Sequence, residues 1–463
     1  MIRVFKVFIP RVVIALLLGD IVLSYACFLL SAAILQGDMV SFFLFEEDGF
    51  RNITIVVATI ILSLYFQSGY SDFRRVNKAE LLQQQLMAVG ATLIVQALGA
   101  YVNRNLMLSR TLILIAATQV LLLLPLWRLL CVSRLRETLG VRRILFLGAD
   151  ESGVDLASRL IRRPELGMGC VGFVDNRHEK GSLLAGMPVL GPISELRSIV
   201  AESRADEIVV NLAERRNAMP VDVLLDLRFA GIRIVEPPTL HEEAFGRVPA
   251  RSLRPSQLIF ASELGPQPWI LQLQTIYSFL IALVGLVLSS PIMILVALAV
   301  KLTSPGPALF RQKRVGLNGK SFEILKFRSM GVDAEASTGA VWATRNDPRV
   351  TSIGAFLRKT RLDELPQIFN VLRGDMSVVG PRPERPEFVS VLSEQIPFYR
   401  QRHVVKPGVT GWAQINYKYG DTIEDTIVKL EYDLYYIKNL APSLDLYIIL
   451  DTLKVMLFSD HGQ

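Results

Sequence analysis

The sequence has few of the residues that build disulfide frameworks and transition-metal sites. It contains 3 cysteines and 4 histidines in 463 residues. Cys27, Cys131 and Cys170 show neither close pairing nor metal-ligand spacing, which argues against a disulfide scaffold or a zinc centre. No nucleic-acid-binding motif accompanies the net charge of +7, so nucleic acid is not an expected partner. The N-terminal apolar run is longer than a signal peptide and has no small-residue cleavage site, and we expect a retained membrane helix.

Apolar residues, by contrast, are abundant. They make up 51% of the chain, and the mean hydropathy is +0.38. Soluble chains rarely reach such values, so membrane segments are expected. Four apolar runs, at about 9–35, 53–66, 86–102 and 112–132, approach the ~20 residues that cross a bilayer, although the second is short. Buried helices of a soluble bundle are the alternative, which the scarcity of charges disfavours. Asp20 should face other helices or a lipid head group.

The distribution of basic residues predicts the orientation of this segment. The connection after the first run is acidic, whereas basic residues precede the first run and follow the fourth. We therefore expect a four-helix transmembrane domain at 1–135 with both ends in the cytoplasm. The basic residues that determine this prediction are Arg3, Lys6, Arg11, Arg128, Arg134, Arg136, Arg142 and Arg143.

From about residue 141 strand and helix signals alternate. Strands are predicted at 143–147, 171–174, 207–211 and 232–235, with helices near 194–203 and 221–230. This alternation predicts a Rossmann-like α/β domain with a parallel sheet at 141–262. The loop 148–153 is only a partial dinucleotide fingerprint, because Asp150 replaces the middle glycine, while Asp175 stands where a ribose-binding acid would. A structural or regulatory role is favoured over nucleotide binding.

A further apolar run, 276–300, is interrupted at Ser290 and Pro291. Proline removes a backbone donor, which predicts a kink or break, and serine hydroxyls can satisfy freed carbonyls. The basic segment after the run belongs in the cytoplasm, as does the α/β domain before it. We therefore predict a re-entrant helix at 272–302 within a catalytic domain at 270–463; a kinked full span is the alternative. The apolar pattern at 444–458 predicts an amphipathic helix on the membrane or against the core.

Two adjacent carboxylates, Asp363 and Glu364, stand at the predicted start of a helix that ends before Gly374. Capping is the ordinary explanation for such a pair. The cationic surroundings favour a phosphate-handling site, in which Mg²⁺ is held by one or two carboxylates plus substrate oxygens and a carboxylate can act as nucleophile. The surrounding cations are Lys326, Arg328, Arg358, Lys359, Arg361, and Arg382 in the stiff turn GPRP (380–383).

From about residue 270 the sequence resembles the bacterial sugar transferase family, the monotopic phosphoglycosyl transferases. With four apolar runs and an α/β domain in front, the whole chain is similar to the large subclass, which initiates exopolysaccharide, capsule or O-antigen assembly. The matching strings are SP (290–291), TSPGP (303–307), FRQKRVG (310–316), KFRSM (326–330), NDPRV (346–350), LDELPQ (362–367), GDMS (374–377), GPRP (380–383), KPGVTGWAQ (406–414) and DLYY (433–436).

The resemblance implies transfer of a hexose-1-phosphate from a UDP-sugar to undecaprenyl phosphate at the cytoplasmic face of the bacterial inner membrane, with release of UMP. Asp363 would form a phosphosugar-aspartyl intermediate and Glu364 would complete the dyad, the pair holding Mg²⁺. Membrane lipids are a further expected partner, and a homodimer is compatible with the subclass. The implied substrate-binding residues are Lys326, Arg358, Pro381, Arg382, Pro383 and, as a weaker candidate, Asp445.

The chain departs from the family pattern at two places. Members often carry Asn-Gly-Arg where this sequence has Asn416, Tyr417 and Lys418; Lys418 keeps a positive charge and stays a substrate-binding candidate, without the forked geometry of arginine. The position before Leu362 is often serine and here is Arg361.

Three other features have plainer explanations than catalysis. We favour a structural or phosphate-facing His403 over a general base, and a Trp412 in the core or at the membrane interface over one that stacks on uracil. The basic run 311–314 favours contact with anionic lipid. Two rival functions stay open: a nucleotide-sensing scaffold with a vestigial transferase module, and a glycosyltransferase that releases UDP instead of UMP.

Overall fold

A computed structural model describes residues 2–4, 6–9, 11–67, 69–70, 78–138, 141–212, 219–251, 265, 267–332, 334, 347–417, 420 and 422–458. The chain divides into two compact units. The first comprises residues 1–3 and 8–237, and the second comprises residues 4–7 and 238–463. Two short strands, β1 (Ile2–Val4) and β2 (Val7–Ile9), pair at the N-terminus.

The N-terminal helices are α1 (Arg11–Gln36), α2 (Val40–Phe45), α3 (Gly49–Phe66), α4 (Lys78–Val102) and α5 (Arg110–Thr138). They confirm that the four predicted apolar runs are helical; the short α2 was not predicted. In the described part of the chain, five helical segments are long and apolar enough to cross a membrane: Val12–Phe45, Gly49–Phe66, Leu81–Tyr101, Arg110–Leu130 and Pro268–Thr303.

A buried polar cluster joins three parts of this helical segment. Asp20 on α1 is fully buried and accepts from Nη2 of Arg128 on α5 at 2.6 Å and from the hydroxyl of Tyr70 at 2.9 Å. The prediction that Asp20 faces other helices is therefore confirmed. Arg128 needs a correction: it is not a flanking charge, because its guanidinium is buried against Asp20 and does not contribute to the basic flank.

The α/β part of the first unit contains one six-stranded sheet in the order β5-β6-β4-β3-β7-β8. All neighbouring strands are parallel except β5 and β6, which are antiparallel, so the predicted parallel sheet is confirmed with one antiparallel edge. Strand β5, at one edge, and strand β6, next to it, were not predicted. The strands are β3 (Arg142–Leu147), β4 (Met168–Val174), β5 (Leu183–Leu184), β6 (Met187–Gly191), β7 (Glu207–Val210) and β8 (Arg233–Val235), and the helices are α6 (Glu151–Ile161), α7 (Leu196–Ser203) and α8 (Val221–Phe229). Helix α9 (Pro237–Phe245) begins where the first unit ends, and its other residues belong to the second unit.

The second unit is built from helices around two small sheets. Strand β9 (Leu309–Val315) pairs with β10 (Ser321–Phe327) in an antiparallel hairpin, and β11 (Ser377–Val379) pairs with β12 (Gly408–Thr410) in parallel. The helices are α10 (Pro268–Thr303), α11 (Ser352–Lys359), α12 (Gln367–Arg373), α13 (Pro386–Gln395), α14 (Trp412–Asn416), α15 (Ile423–Asn439) and α16 (Pro442–Phe458). Helix α16 confirms the helix predicted at 444–458.

Helix α10 runs through Pro291 as one helix, so the chain does not break at Ser290 and Pro291, and the alternative of a kink there stays a prediction. Pro291 has no N–H to give to the carbonyl of Val287, four residues earlier. The Ser290 hydroxyl donates to that carbonyl at 2.9 Å, and the Ser289 hydroxyl donates to the carbonyl of Gly285 at 2.7 Å. The predicted satisfaction of carbonyls by serine is thus confirmed, and it explains how the helix continues.

One side of α10 packs within the second unit at both ends and in the middle of the helix. Near the start, the side-chain amide of Gln274 donates to the Tyr436 hydroxyl at 2.7 Å. Near the end, Val300 packs with Phe327 of the β9–β10 hairpin in one apolar cluster. The other side of the helix is apolar and exposed, and Leu288 at its middle is 73% exposed. The helix therefore has one side buried in the unit and one side of unburied apolar surface.

Candidate active site

The carboxylate pair lies on a single turn of 3₁₀ helix, Leu362–Glu364, between α11 and α12. Arg361 precedes the turn with a positive φ of 55°, and this left-handed residue redirects the chain after α11. The N-cap of α12 is Pro366, and no side chain caps it. Capping therefore does not explain Asp363 and Glu364, and that interpretation is wrong.

Glu364 is held by two cations. Its Oε1 atom lies 3.1 Å from Nζ of Lys326 and 2.8 Å from Nη2 of Arg382. Burial alone would raise the pKa of Glu364, but the two ion pairs outweigh it and hold that pKa well below its ordinary value. Glu364 is therefore a fixed anion that orients Lys326, at the end of β10, and Arg382.

Asp363 differs from its neighbour. Its side chain is 8% exposed, yet it makes no hydrogen bond or ion pair with any other residue that the structure describes. Burial and the negative charge of Glu364 raise its pKa, opposed by the charges of Lys326, Arg358 and Arg382. A carboxylate of this kind can act as a nucleophile, since no hydrogen bond or ion pair has to break before it attacks.

Arg358 lies in the last turn of α11, and its Nε donates to the Ser329 hydroxyl at 3.1 Å. The start of α11 is capped by Thr351, whose side chain accepts from the backbone N–H of Gly354 at 3.0 Å. A Cβ at Gly354 would lie 1.9 Å from the carbonyl oxygen of Ser329, so only glycine permits this approach. The helix and the segment after β10 thus place one more guanidinium beside Asp363.

The turn that carries Arg382 is braced through its prolines. The carbonyl of Pro381 accepts from the N–H of Gly408 at 3.0 Å, and Nη1 of Arg314 donates to the carbonyl of Pro383 at 3.1 Å. A Cβ at Gly380 would lie 2.4 Å from a backbone oxygen of the neighbouring strand segment. These two hydrogen bonds hold the backbone of Pro381 and Pro383 on either side of Arg382 and so fix its position. Arg314, from the basic run 311–314, donates one of them. Contact of the remaining run with anionic lipid stays a prediction.

Sequence reasoning missed a second buried support of Arg382. Nη2 of Arg402 donates to the carbonyl of Arg382 at 3.0 Å and lies 2.8 Å from Oδ2 of Asp433, while its Nη1 donates to the Tyr399 hydroxyl at 2.8 Å. The Arg402 and Asp433 side chains are 7% and 2% exposed. The string DLYY contains this aspartate, so the signal was present, but nothing in the pattern paired it with Arg402.

Asp445 lies in the interior of the second unit. It accepts from Nε2 of Gln274 at 2.8 Å, from the hydroxyl of Tyr436 at 2.9 Å and from the hydroxyl of Tyr277. Burial raises its pKa to about 6 despite these donors. A carboxylate that joins α10 to α15 and α16 in this way favours a structural role over the predicted contact with substrate.

Trp412 and His403 both belong to the core. Trp412 is 4% exposed, stacks on Tyr435 with 5.7 Å between ring centroids, and donates to the carbonyl of Gly246 at 2.7 Å. The preferred core position is confirmed, and stacking on uracil is excluded by burial. Burial first, and then the charge of Arg402, lower the pKa of His403 to about 4, which fits the structural alternative. Lys418 lies outside the described residues.

The glycine loop of the α/β domain is filled by a side chain. The amide of Asn211 donates to the carbonyl of Asp150 at 2.9 Å and accepts from the Ser152 hydroxyl at 3.0 Å. A Cβ at Gly153 would lie 2.0 Å from that amide. Asp175 accepts from Nδ1 of His178 at 2.6 Å. These internal contacts favour the structural interpretation of the loop.

The carboxylate pair Asp363 and Glu364 is also the candidate binding site for the expected Mg²⁺. The residues described in the structure contain no group of three or more metal-ligating side chains, so a cage made by protein alone is not present among them. Mg²⁺ typically uses one or two carboxylates and takes its other ligands from substrate phosphate and water. The unengaged Asp363 beside Glu364 fits that kind of site, which is completed only when a phosphate substrate binds.

Comparison with known proteins gives two family matches. A family described as bacterial sugar transferase matches residues 270–459, and one described as CoA-binding domain matches residues 51–235. The chain is 36% identical over 331 residues to a UDP-glucose:undecaprenyl-phosphate glucose-1-phosphate transferase of Klebsiella pneumoniae, covering 70% of each protein.

Two further relatives match shorter stretches of the chain. A UDP-N-acetylgalactosamine-undecaprenyl-phosphate N-acetylgalactosaminephosphotransferase of Aeromonas hydrophila is 44% identical over 218 residues, 47% of this chain. An exopolysaccharide production protein of Rhizobium leguminosarum is 42% identical over 197 residues, 42% of this chain and 98% of the relative. The chain spans about half (51%) of the length of the Aeromonas relative.

Proposed function

This chain belongs to the bacterial sugar transferase family, and from that premise we propose that it transfers a sugar-1-phosphate from a UDP-sugar to undecaprenyl phosphate in the membrane. The single observation that carries the proposal is the difference between the two carboxylates. Glu364 is engaged by Lys326 and Arg382, whereas Asp363 is buried among the same cations and has no bond to any described residue.

The proposed reaction has two displacement steps. In the first, a carboxylate oxygen of Asp363 forms a bond to the phosphorus that bears the sugar, and the bond from that phosphorus to the oxygen of UMP breaks. In the second, a phosphate oxygen of the lipid attacks the same phosphorus, and the bond to Asp363 breaks. The carboxylate is restored, and the lipid carries a diphosphate-linked sugar. No oxidant or external proton is needed in either step.

The cations supply the electrostatic part of the proposed mechanism. Lys326, Arg358 and Arg382 all lower the pKa of Asp363, which identifies them as charges close to the reacting carboxylate. They bind the phosphate oxygens on which charge accumulates, and Glu364 holds two of them in place. Asp363 and Glu364 would hold Mg²⁺, which would supply positive charge to neutralise the substrate phosphates. We expect chelation of Mg²⁺ to abolish turnover.

The membrane arrangement is also proposed. If α10 crossed the bilayer, its two ends would lie on opposite sides, yet Gln274 and Val300 both pack within the second unit. A helix that packs on one domain near both ends, and whose other side is exposed and apolar, is suited to enter and leave the membrane at one face. We place that face in the cytoplasm of a bacterial inner membrane, with α1, α3, α4 and α5 as spans.

The donors named for two relatives indicate which sugars this enzyme should be tested with first. The Klebsiella relative is a glucose-1-phosphate transferase and the Aeromonas relative is an N-acetylgalactosaminephosphotransferase. UDP-glucose and UDP-N-acetylgalactosamine are therefore the first donors to test. We infer exopolysaccharide or related glycan assembly as the process served, supported by the Rhizobium relative.

The test is a donor panel with purified full-length enzyme, undecaprenyl phosphate and Mg²⁺, scored for the nucleotide released and for sugar in the organic phase. The proposal expects UMP and a lipid-linked sugar phosphate. Release of UDP would instead establish a glycosyltransferase, and the absence of both products with every donor would favour a scaffold. Asp363→Asn should be inactive, and Asp222→Asn, the same substitution at an exposed position on α8, is the matched control.

A further inference from the structure

A cavity of 230 Å³ lies beside the 3₁₀ turn Leu362–Glu364. The proposed reaction with the UDP-sugar does not use this cavity. Glu364 forms part of its wall, and Arg361 lies at the same end. The rest of the wall is largely apolar and comes from α12, β12, α14 and α16. The apolar lining residues are Leu365, Ile368, Val409, Ile415, Val455 and Met456.

The size and lining of the cavity limit what it can hold. Sites that enclose a whole small molecule usually measure about 300–1,000 Å³. A cavity of 230 Å³ is below that range, so it fits a segment of a ligand and not a complete nucleotide sugar. Its apolar wall favours a hydrocarbon segment, because burial of apolar surface is the attraction that such a wall offers.

The walls of the cavity connect it to apolar surface. Ile368 packs against the middle of α10, where a Cβ on Gly285 would lie 3.7 Å from its Cδ1 atom. On the other side, Met456 both lines the cavity and is 52% exposed, next to Leu453 and Leu446 on the exposed side of α16. A hydrocarbon chain can therefore pass from the bilayer to the cavity along apolar side chains.

Arg361 gives the cavity a charged mouth. It occupies the left-handed backbone region, which is unfavourable for a non-glycine residue, and such strained residues concentrate at functional sites. Its guanidinium makes no hydrogen bond or ion pair with any other residue in the described ranges. A partly buried guanidinium beside Glu364, without a protein partner, is placed to receive an anionic ligand.

We propose that this cavity holds the first isoprene units of the polyprenyl phosphate and that Arg361 binds the phosphate at its mouth. This inference rests on the proposed function and deepens it, because it assigns a separate subsite to the acceptor. The phosphate of a lipid seated in this way lies next to Asp363, where its oxygen attacks phosphorus in the second step. The donor and the acceptor then approach the carboxylate from different parts of the second unit.

The test separates the two half-reactions. Exchange of labelled UMP into the UDP-sugar, without any lipid, measures the first step alone, and steady-state KM for undecaprenyl phosphate reports on the acceptor. Val455→Phe fills the cavity, and Val391→Phe makes the same change on the exposed side of α13. Val455→Phe should raise the acceptor KM about tenfold, or ~1.4 kcal/mol, and leave exchange unchanged. Val391→Phe should change neither quantity.

Arg361 is tested in the same assays with Arg361→Ser. We expect a higher KM for undecaprenyl phosphate and for the short acceptor farnesyl phosphate, because both present a phosphate to the cavity mouth, with UMP exchange retained. Equal acceptor KM values for Val455→Phe and Val391→Phe, with exchange intact in both, would overturn the inference and leave the proposed function standing. Loss of exchange in Val455→Phe alone would assign the cavity to the donor and also overturn it. Absence of exchange in the wild-type enzyme would refute the proposed function itself.

Discussion

The buried ion pair between Arg402 and Asp433 offers the sharpest structural prediction. Asp433→Asn keeps the shape of the side chain and removes its charge, which leaves the Arg402 guanidinium uncompensated in the core. Breaking a buried pair in this way costs ~3–5 kcal/mol. In a unit of this size 1 kcal/mol corresponds to ~2–4 °C, so the melting temperature should fall by about 6–20 °C.

The assay is thermal unfolding of the full-length protein in detergent micelles, followed by tryptophan fluorescence. Trp412 is a suitable reporter, because it stacks on Tyr435 in the same apolar cluster. The double variant Arg402→Met/Asp433→Leu removes both charges, and replacement of a buried pair by apolar side chains is often neutral. We therefore expect it to recover most of the lost melting temperature.

Activity should not recover in parallel. Arg402 also donates to the carbonyl of Arg382, and neither methionine nor leucine can replace that hydrogen bond. The double variant should melt near the wild-type temperature and still turn over slowly, because Arg382 is no longer fixed against Glu364. A double variant with normal melting and normal kcat would refute the claim that Arg402 positions Arg382, and an unchanged melting temperature in Asp433→Asn would refute the energetic reasoning.

Three further predictions follow from named contacts. Arg358 lowers the pKa of Asp363, so Arg358→Gln should raise that pKa and move the acid limb of single-turnover UMP release to higher pH; an unchanged pH profile would contradict this. Asp20→Asn should lower the melting temperature of the full-length protein, because it leaves Arg128 buried without its anion at a cost of ~3–5 kcal/mol, whereas an unaltered melting curve would show that the pair contributes little. Ser290→Ala removes the donor that replaces the missing N–H of Pro291 and should cost ~1 kcal/mol, measured in the same unfolding experiment, with wild-type melting as the contrary result.

Much of the architecture followed from local sequence patterns. Apolar runs predicted the membrane-type helices, and alternating strand and helix signals predicted the α/β sheet, since both depend on periodicity within one segment. Strand β5 was not predicted because Leu183–Leu184 is too short to show a period, and β6 was not predicted because Met187–Gly191 contains a proline and a glycine, which are both depleted in strands. A helix unbroken at Pro291 was not the favoured prediction, because the position of the Ser290 hydroxyl next to the carbonyl of Val287 cannot be read from the sequence.

The site was predictable only in part, for a related reason. The pair Asp363 and Glu364 and the nearby cations are close in sequence or belong to recognisable strings. Which carboxylate is engaged depends on the approach of Lys326 and Arg382, from elsewhere in the fold, to a single oxygen. The role of Arg402 depends on one donated hydrogen bond to a backbone carbonyl. Such relationships arise from tertiary packing and have no periodic signature in the sequence.

The covalent role of Asp363 can be measured directly. Full-length enzyme, mixed with the UDP-sugar that it turns over and with Mg²⁺ but without lipid, is quenched in acid and analysed by peptide mass spectrometry. We expect one sugar-phosphate adduct on the peptide that contains Asp363, removed by later addition of undecaprenyl phosphate and absent from Asp363→Asn. Release of UMP without an adduct, or an adduct on another residue, would contradict the proposal that Asp363 is the nucleophile.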